Sequence, residues 1–178
     1  MAFNLFGLFR DKTPAYEIYK HLVTAARNPA FYEDMMVKDT VDGRFDMILL
    51  HLFIVQQRLQ KIQAMPKYLS RDVSEAMIAD MDRSLREMGV GDMAVGKQVK
   101  AMATAWFGRN ESYSKALGEP DSLAALSDVI QRNIFRGEEG KAQAIAAYTI
   151  ASLELLSKTS DEDMVSAHFS FAEPQKYL

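Results

Sequence analysis

An all-α fold, a single multi-helix domain built around a long central helical hairpin, is what the sequence predicts, and three observations carry that reading. Eleven methionines, many alanines and few β-branched residues favour helix over strand. Apolar residues recur at three- and four-residue steps from Phe45 through Ile48, Leu49, Leu52, Val55 and Leu59 to Ile62. Prolines and glycines stand where helices begin and end. A length of 178 residues is about one domain, enough to bury a core without staples.

Taken in order, residues 1–12 form an apolar arm with Phe3, Leu5, Phe6, Leu8 and Phe9. Thr13-Pro14 opens the first helix, with the proline in the first turn where its missing N–H does no harm. Tyr16, Tyr19, Leu22 and Val23 continue it to about Ala26. Asn28-Pro29 repeats the start signal for a short helix through Met35. Thr40 caps the central helix, 41–64, which Met65-Pro66 ends. Ser70 caps the next, 71–88, whose Val73, Met77, Met81, Leu85 and Met88 share a face and whose C′ residue is Gly89. Further helices are expected over 94–107 (stopped by Gly108), 121–135 (stopped by Gly137) and 140–158, with a turn near 110–117. Ser160 and Asp163 imitate a capping box with the shorter acid. The helical domain is expected to span 13–168, followed by a loosely ordered tail over 169–178.

Composition narrows the function. A net charge of −3 argues against a DNA or RNA binder, whose phosphate contacts demand a basic face. The absence of cysteine excludes disulfides, thiolate catalysis and cysteine-ligated zinc. No apolar run reaches the ~20 residues needed to span a bilayer. The arm lacks a basic region before it and a small-residue cleavage site after it, so a signal peptide is not expected and a cytoplasmic location is.

The most informative feature is a polar cluster set into the hairpin. Charged groups near a core are costly unless paired or serving a partner. Arg44, His51 and Arg58 are spaced by seven and lie on nearly one line. Folded back antiparallel across 65–69, the hairpin brings His51 level with about Arg83, and Arg44 level with Val90, close to Asp92. Asp80, Asp82, Glu87 and Asp92 then sit beside this partly basic stripe, with Asp80 three residues from Arg83 and Asp82 four from Arg86 on their own helix, and Asp39 and Asp46 at the start of the first half. Two readings stay open: an ion-pair seam that fixes register, or a recognition surface for a charged segment of a partner. The methionine face likewise reads either as core or as a pliable apolar surface. Histidines 21, 51 and 168 have no metal-ligand spacing, Gly89-Val90-Gly91 follows a helix rather than a strand, and no Gly-x-Ser-x-Gly elbow occurs. No catalytic residue and no metal site is expected.

Several of these residues carry a resemblance. Tyr16 and Tyr19, Ala26-Arg27 to Phe31-Tyr32, Asp39-Thr40 leading to Gly43-Arg44-Phe45-Asp46, Leu50-His51 and Arg58-Leu59 belong to it. So do the block Asp80-Met81-Asp82-Arg83-Ser84-Leu85-Arg86-Glu87-Met88-Gly89-Val90-Gly91-Asp92 and Trp106-Phe107-Gly108-Arg109, with Tyr113 and Ala116-Leu117 beyond. Over about 15–118 the chain resembles the ubiquinol–cytochrome c chaperone family. The resemblance implies a helical, non-enzymatic assembly factor for the cytochrome bc1 complex that binds cytochrome b as its client and needs no cofactor. A ribosome or a second small assembly factor is a further partner in mitochondrial members. The rival reading is a helical protein that binds haem or a quinone directly, with His51 and the methionines as haem ligands.

The arm has two readings of its own. Phe3, Leu5, Phe6 and Phe9 either pack on the domain's own surface or enter the headgroup boundary of a membrane. In the second case Arg10 and Lys12 face anionic lipid, a peripheral contact on the cytoplasmic face of the inner membrane.

Overall fold

The structure is a computed structural model that describes residues 12–62 and 68–178; the expectations for Phe3, Leu5, Phe6, Phe9 and Arg10 lie outside them, as do Met65 and Pro66, while the central helix, expected over 41–64, ends at Leu59. The helices are α1 (Thr13–Ala26), α2 (Pro29–Glu33), α3 (Val41–Leu59), α4 (Leu69–Glu87), α5 (Asp92–Leu117), α6 (Ser122–Asn133), α7 (Ala142–Lys158) and α8 (Asp161–Val165), with a 3₁₀ turn at Pro174–Tyr177. Among the described residues there is no strand.

The start signals work as local chemistry predicts. Asn28 accepts from the Ala30 N–H, Thr40 from the Gly43 N–H, and Ser160 from the Asp163 N–H. Gly89 closes α4 with φ +82, where the Val90 N–H reaches the Leu85 carbonyl at 3.0 Å and the Gly89 N–H reaches Arg86 at 2.9 Å. That double bond is a Schellman cap, which needs the left-handed residue glycine supplies.

Four further expectations are corrected. Gly108 does not stop a helix: α5 runs on to Leu117, because Trp106, Tyr113 and Ala116 bury on both sides of an exposed glycine. Ser70 does not cap α4; its hydroxyl turns to Gln56 instead. The tail is packed: Phe169, Ala172 and Pro174 are buried, and the Ala172 N–H is held by Ser152 at 3.1 Å. Finally, α3 and α4 are not a tight hairpin. α4 packs chiefly on α1 and α5, whereas α3 lies among α1, α7 and α5 and touches α4 only lightly.

α3 is therefore the axis of the domain. Every residue from Phe45 to Gln56 is buried, so this helix has no solvent face over three turns. Its polar side chains must find partners on the helices around it.

Candidate functional site

The polar residues of α3 each bond to a different neighbour. Asp46, fully buried, meets the Arg109 guanidinium of α5 at 2.5 Å and Arg136, from the turn after α6, at 2.8 Å. Burial pushes its carboxyl up, and the two arginines pull it only part of the way back. His51 is enclosed by the rings of Phe31, Tyr148 and Phe171. Its Nδ1 lies 2.8 Å from the Met47 carbonyl, which can only accept, so Nδ1 carries the proton. Nε2 then accepts from the Tyr148 hydroxyl at 2.7 Å. Desolvation pushes the imidazole pKa down to about 4. Gln56 donates to the Ser70 carbonyl at 2.7 Å and to the Ser74 hydroxyl at 3.0 Å on α4.

Arg58 closes the far end. Its Nε donates to the Leu156 carbonyl at 3.0 Å, and one terminal nitrogen donates to Thr159 at 2.7 Å and to Asp161 at 2.5 Å. One guanidinium thus satisfies the carbonyls at the end of α7 and the acid opening α8.

The expected α3–α4 seam is absent, for a geometric reason. The line through His51 and Arg58 is real, but it faces α7, which runs parallel to α3, and not α4. Arg44 pairs with Asp39 in the preceding turn, through Nε–Oδ1 at 2.5 Å and a second nitrogen to Oδ2 at 3.0 Å, which holds the Asp39 carboxyl below its ordinary value. Asp92 pairs with Arg86 across the α4–α5 turn at 2.5 Å, and Arg86 also holds Asp82 at 2.6 Å. Asp80 pairs with Arg83 and accepts from the Tyr19 hydroxyl of α1 at 2.8 Å. The structure therefore sorts the candidates. Asp46, His51 and most of Arg58 are internal and give a partner nothing to touch, while Asp39, Arg44, Arg83, Arg86, Glu87 and Asp92 are exposed and Asp82 is half-exposed.

Sequence reasoning missed Gln56, Tyr148, Arg136 and the Ser70/Ser74 pair. Gln56 had a readable signal, a polar side chain on the core stripe of an apolar helix; its partners, on another element, had none.

A second feature lies between α4 and α5: an open apolar groove of about 590 Å³. Its walls are Ile78 and Ala79 on one side and Val99, Ala103, Trp106 and Phe107 on the other, with Arg71, Glu75 and Asp82 on its rim. Phe107 is 69% exposed, and at the α4–α5 turn Met88 is 53% and Met93 96% exposed. Met77 and Met81, by contrast, are core. Met88, Met93 and Phe107 stand along the α4–α5 edge, while other exposed large apolar side chains, such as Tyr16, Met36, Val41 and Leu155, are spread over other elements. Among the described residues no group of three or more His, Asp or Glu side chains is placed to hold a metal ion, and no helix is long and apolar enough to cross a membrane.

Fold and site together define an all-α domain whose buried polar residues serve as internal locks and whose surface clefts include an apolar groove between α4 and α5. The chain belongs to the ubiquinol-cytochrome C chaperone family, whose model matches residues 33–171. It is similar to the crystal structure of the Cbp3 homolog from Brucella abortus, with a TM-score of 0.81, 30% identity, and 97% and 98% of the two chains covered. It is 25% identical over 154 residues to the mitochondrial protein CBP3 of Saccharomyces cerevisiae, covering 81% of this chain and 44% of the yeast protein. It is 18% identical over 163 residues to ubiquinol-cytochrome-c reductase complex assembly factor 1 of Xenopus laevis, covering 90% of this chain and 80% of that one. The chain thus spans less than half the length of its yeast relative.

Proposed function

We propose that this protein is a non-enzymatic chaperone for assembly of ubiquinol–cytochrome c reductase, and that its client is cytochrome b held before haem insertion and subunit assembly are complete. The single observation that carries the mechanism is the exposed apolar edge of α4 and α5. A client segment destined for a membrane interior needs a cover for its apolar side chains, and Met88, Met93, Phe107 and the groove behind them offer one. Methionine suits such a role because its unbranched thioether adapts to varied shapes. The exposed charges around the α4–α5 turn, Asp82, Arg83, Arg86, Glu87 and Asp92, form the polar rim that sets orientation and keeps wrong partners off. His51 plays no direct part, since both of its ring nitrogens are engaged and the ring is enclosed.

Support for the reading comes from the family and from the names of the two relatives. It is tested by deleting the gene and measuring assembled cytochrome b and its haem absorbance. Loss of that signal, with other b-type haem proteins unchanged, is the expected result. Normal complex levels in a strain without a paralogue overturn it. A photo-crosslinker at Met93 should capture nascent cytochrome b, and Met93→Glu should reduce that product and the assembled complex together.

A further inference from the structure

The chain enters the described domain beside the groove. Lys12, the first described residue, donates to Glu75 Oε2 at 2.8 Å, and Glu75 stands on the groove's rim. α1 then runs parallel to α4, as the Lys12–Glu75 and Tyr19–Asp80 contacts show. Residues before Lys12 therefore start from the groove's edge. They include Phe3, Leu5, Phe6, Leu8 and Phe9, five large apolar side chains within nine residues of it.

We propose that this N-terminal arm, residues 3–9, is the resident occupant of the α4–α5 groove. Reach allows it. The rim residues Arg71 and Asp82 are about 17 Å apart along α4 at 1.5 Å per residue, and seven extended residues cover up to about 25 Å. Chemistry favours it. The apolar side chains meet Ile78, Val99, Ala103, Trp106 and Phe107, and Lys12 seats the arm's end at Glu75, on a rim of mixed charge where Arg71 pairs with Glu75 and Arg86 with Asp82, so the apolar lining carries the fit. The Lys12–Glu75 pair is exposed, so it marks where the arm enters and does not hold it there. The proposal goes beyond the chaperone reading and stands whatever the client is. Its consequence for that reading is competition, because a client must displace the arm to use the groove.

Trp106 is the chain's one tryptophan and lines the groove, so it reports occupancy directly. The test uses the full chain, dilute and without lipid, with a photo-crosslinker at Phe6. Expected are intramolecular products mapping to residues 71–82 or 99–107, and loss of most of that product in Ala103→Glu with helicity unchanged. Removing residues 2–9 should shift Trp106 emission to the red, and a synthetic peptide of residues 1–11 should shift it back. Cross-links elsewhere, or only between molecules, overturn the proposal. So does co-sedimentation of the full chain with anionic liposomes when truncation leaves Trp106 emission unchanged, since the arm is then a lipid contact. Should the truncated chain fail to fold, the cross-link map of the full chain decides alone. None of these readouts involves cytochrome b, so the arm and the client reading fail separately.

Discussion

The Tyr148 hydroxyl donates to His51 Nε2 across 2.7 Å, joining α3 to α7 between residues 97 apart in sequence. The bond fixes more than the pair. With Nδ1 committed to the Met47 carbonyl, the ring is held neutral in one tautomer, and Phe31 and Phe171 close over it at ring separations of 5.5 and 4.9 Å. Phe171 belongs to the C-terminal segment, so the same imidazole that registers α7 also seats the end of the chain. A buried polar contact of this kind selects one register among several that apolar packing alone tolerates.

Acid should expose the cost of that arrangement. The folded ring has a pKa of about 4, against 6.5 for an ordinary histidine. Between those values the unfolded chain binds a proton that the folded chain refuses, so stability falls as pH is lowered through the window and is regained as pH rises. The full effect is about 3 kcal/mol, spent by about pH 4. His51→Gln, less stable at neutral pH, should lose less of its remaining stability on acidification, as read from urea titrations of both proteins. Parallel losses in the two would place the acid sensitivity elsewhere.

Arg58 makes a different kind of lock. Its side chain is 11% exposed and its guanidinium serves two carbonyls and a carboxylate at the α7–α8 junction. Arg58→Ala should cost about 2–3 kcal/mol, the magnitude for charged groups that lose buried hydrogen bonds. Arg58→Lys should recover less than half of it, because an ammonium cannot span both carbonyls and Asp161 from one position. Hydrogen exchange at the amides of α8 locates the damage. Full rescue by lysine would mean that the charge alone matters.

The sequence places Arg44 opposite Asp92, and the structure separates them: Arg44 bonds to Asp39, and Asp92 to Arg86. In a double-mutant cycle, Arg44→Ala and Asp92→Ala should therefore be additive in stability. Arg86→Ala and Asp92→Ala should show whatever small coupling an exposed pair retains, and added salt should erase it. Coupling between Arg44 and Asp92 would restore the antiparallel seam.

How much was legible follows from where each signal resides. Helices announce themselves locally, by apolar period and by caps such as Asn28, Thr40 and Ser160, and these were read correctly. Partner choice is not local. The seven-residue spacing of His51 and Arg58 showed that they share a line, but nothing in α3 says whether that line meets α4, next in sequence, or α7, some 97 residues away. Sequence adjacency favoured the wrong neighbour. Gly108 misled because a glycine's local cost, about 1 kcal/mol, is outweighed by burial of Trp106, Tyr113 and Ala116. The tail is ordered against the expectation for a chain terminus because Phe169 and Phe171 pack their rings on His21 and His51, partners that lie far away in sequence. Of the proposed contact surface, the 80–92 block is legible as unusual, while the groove exists only once α4 and α5 are packed.

Two glycines of the recognised motifs should respond in opposite directions to alanine. At Gly43, a Cβ would stand 2.0 Å from the Lys38 carbonyl oxygen, a backbone atom that cannot swing aside. Gly43→Ala must push the 38–43 turn away, weakening the Thr40 cap at 3.2 Å and unseating the Asp39–Arg44 pair. A loss of about 1–3 kcal/mol is expected, the range for overpacking a fixed site. At Gly108, within α5, nothing lies within 4 Å of the added carbon. Gly108→Ala only removes a glycine from a helix interior, and should raise stability by about 0.5–1 kcal/mol. Thermal melts of both variants check the pair. Because Gly108 follows the exposed Phe107, the stabilised variant is also informative in cells. If it accumulates normally yet assembles less of the complex, the glycine serves close approach of a partner at α5. If it assembles the complex fully, the glycine has no role at the contact surface.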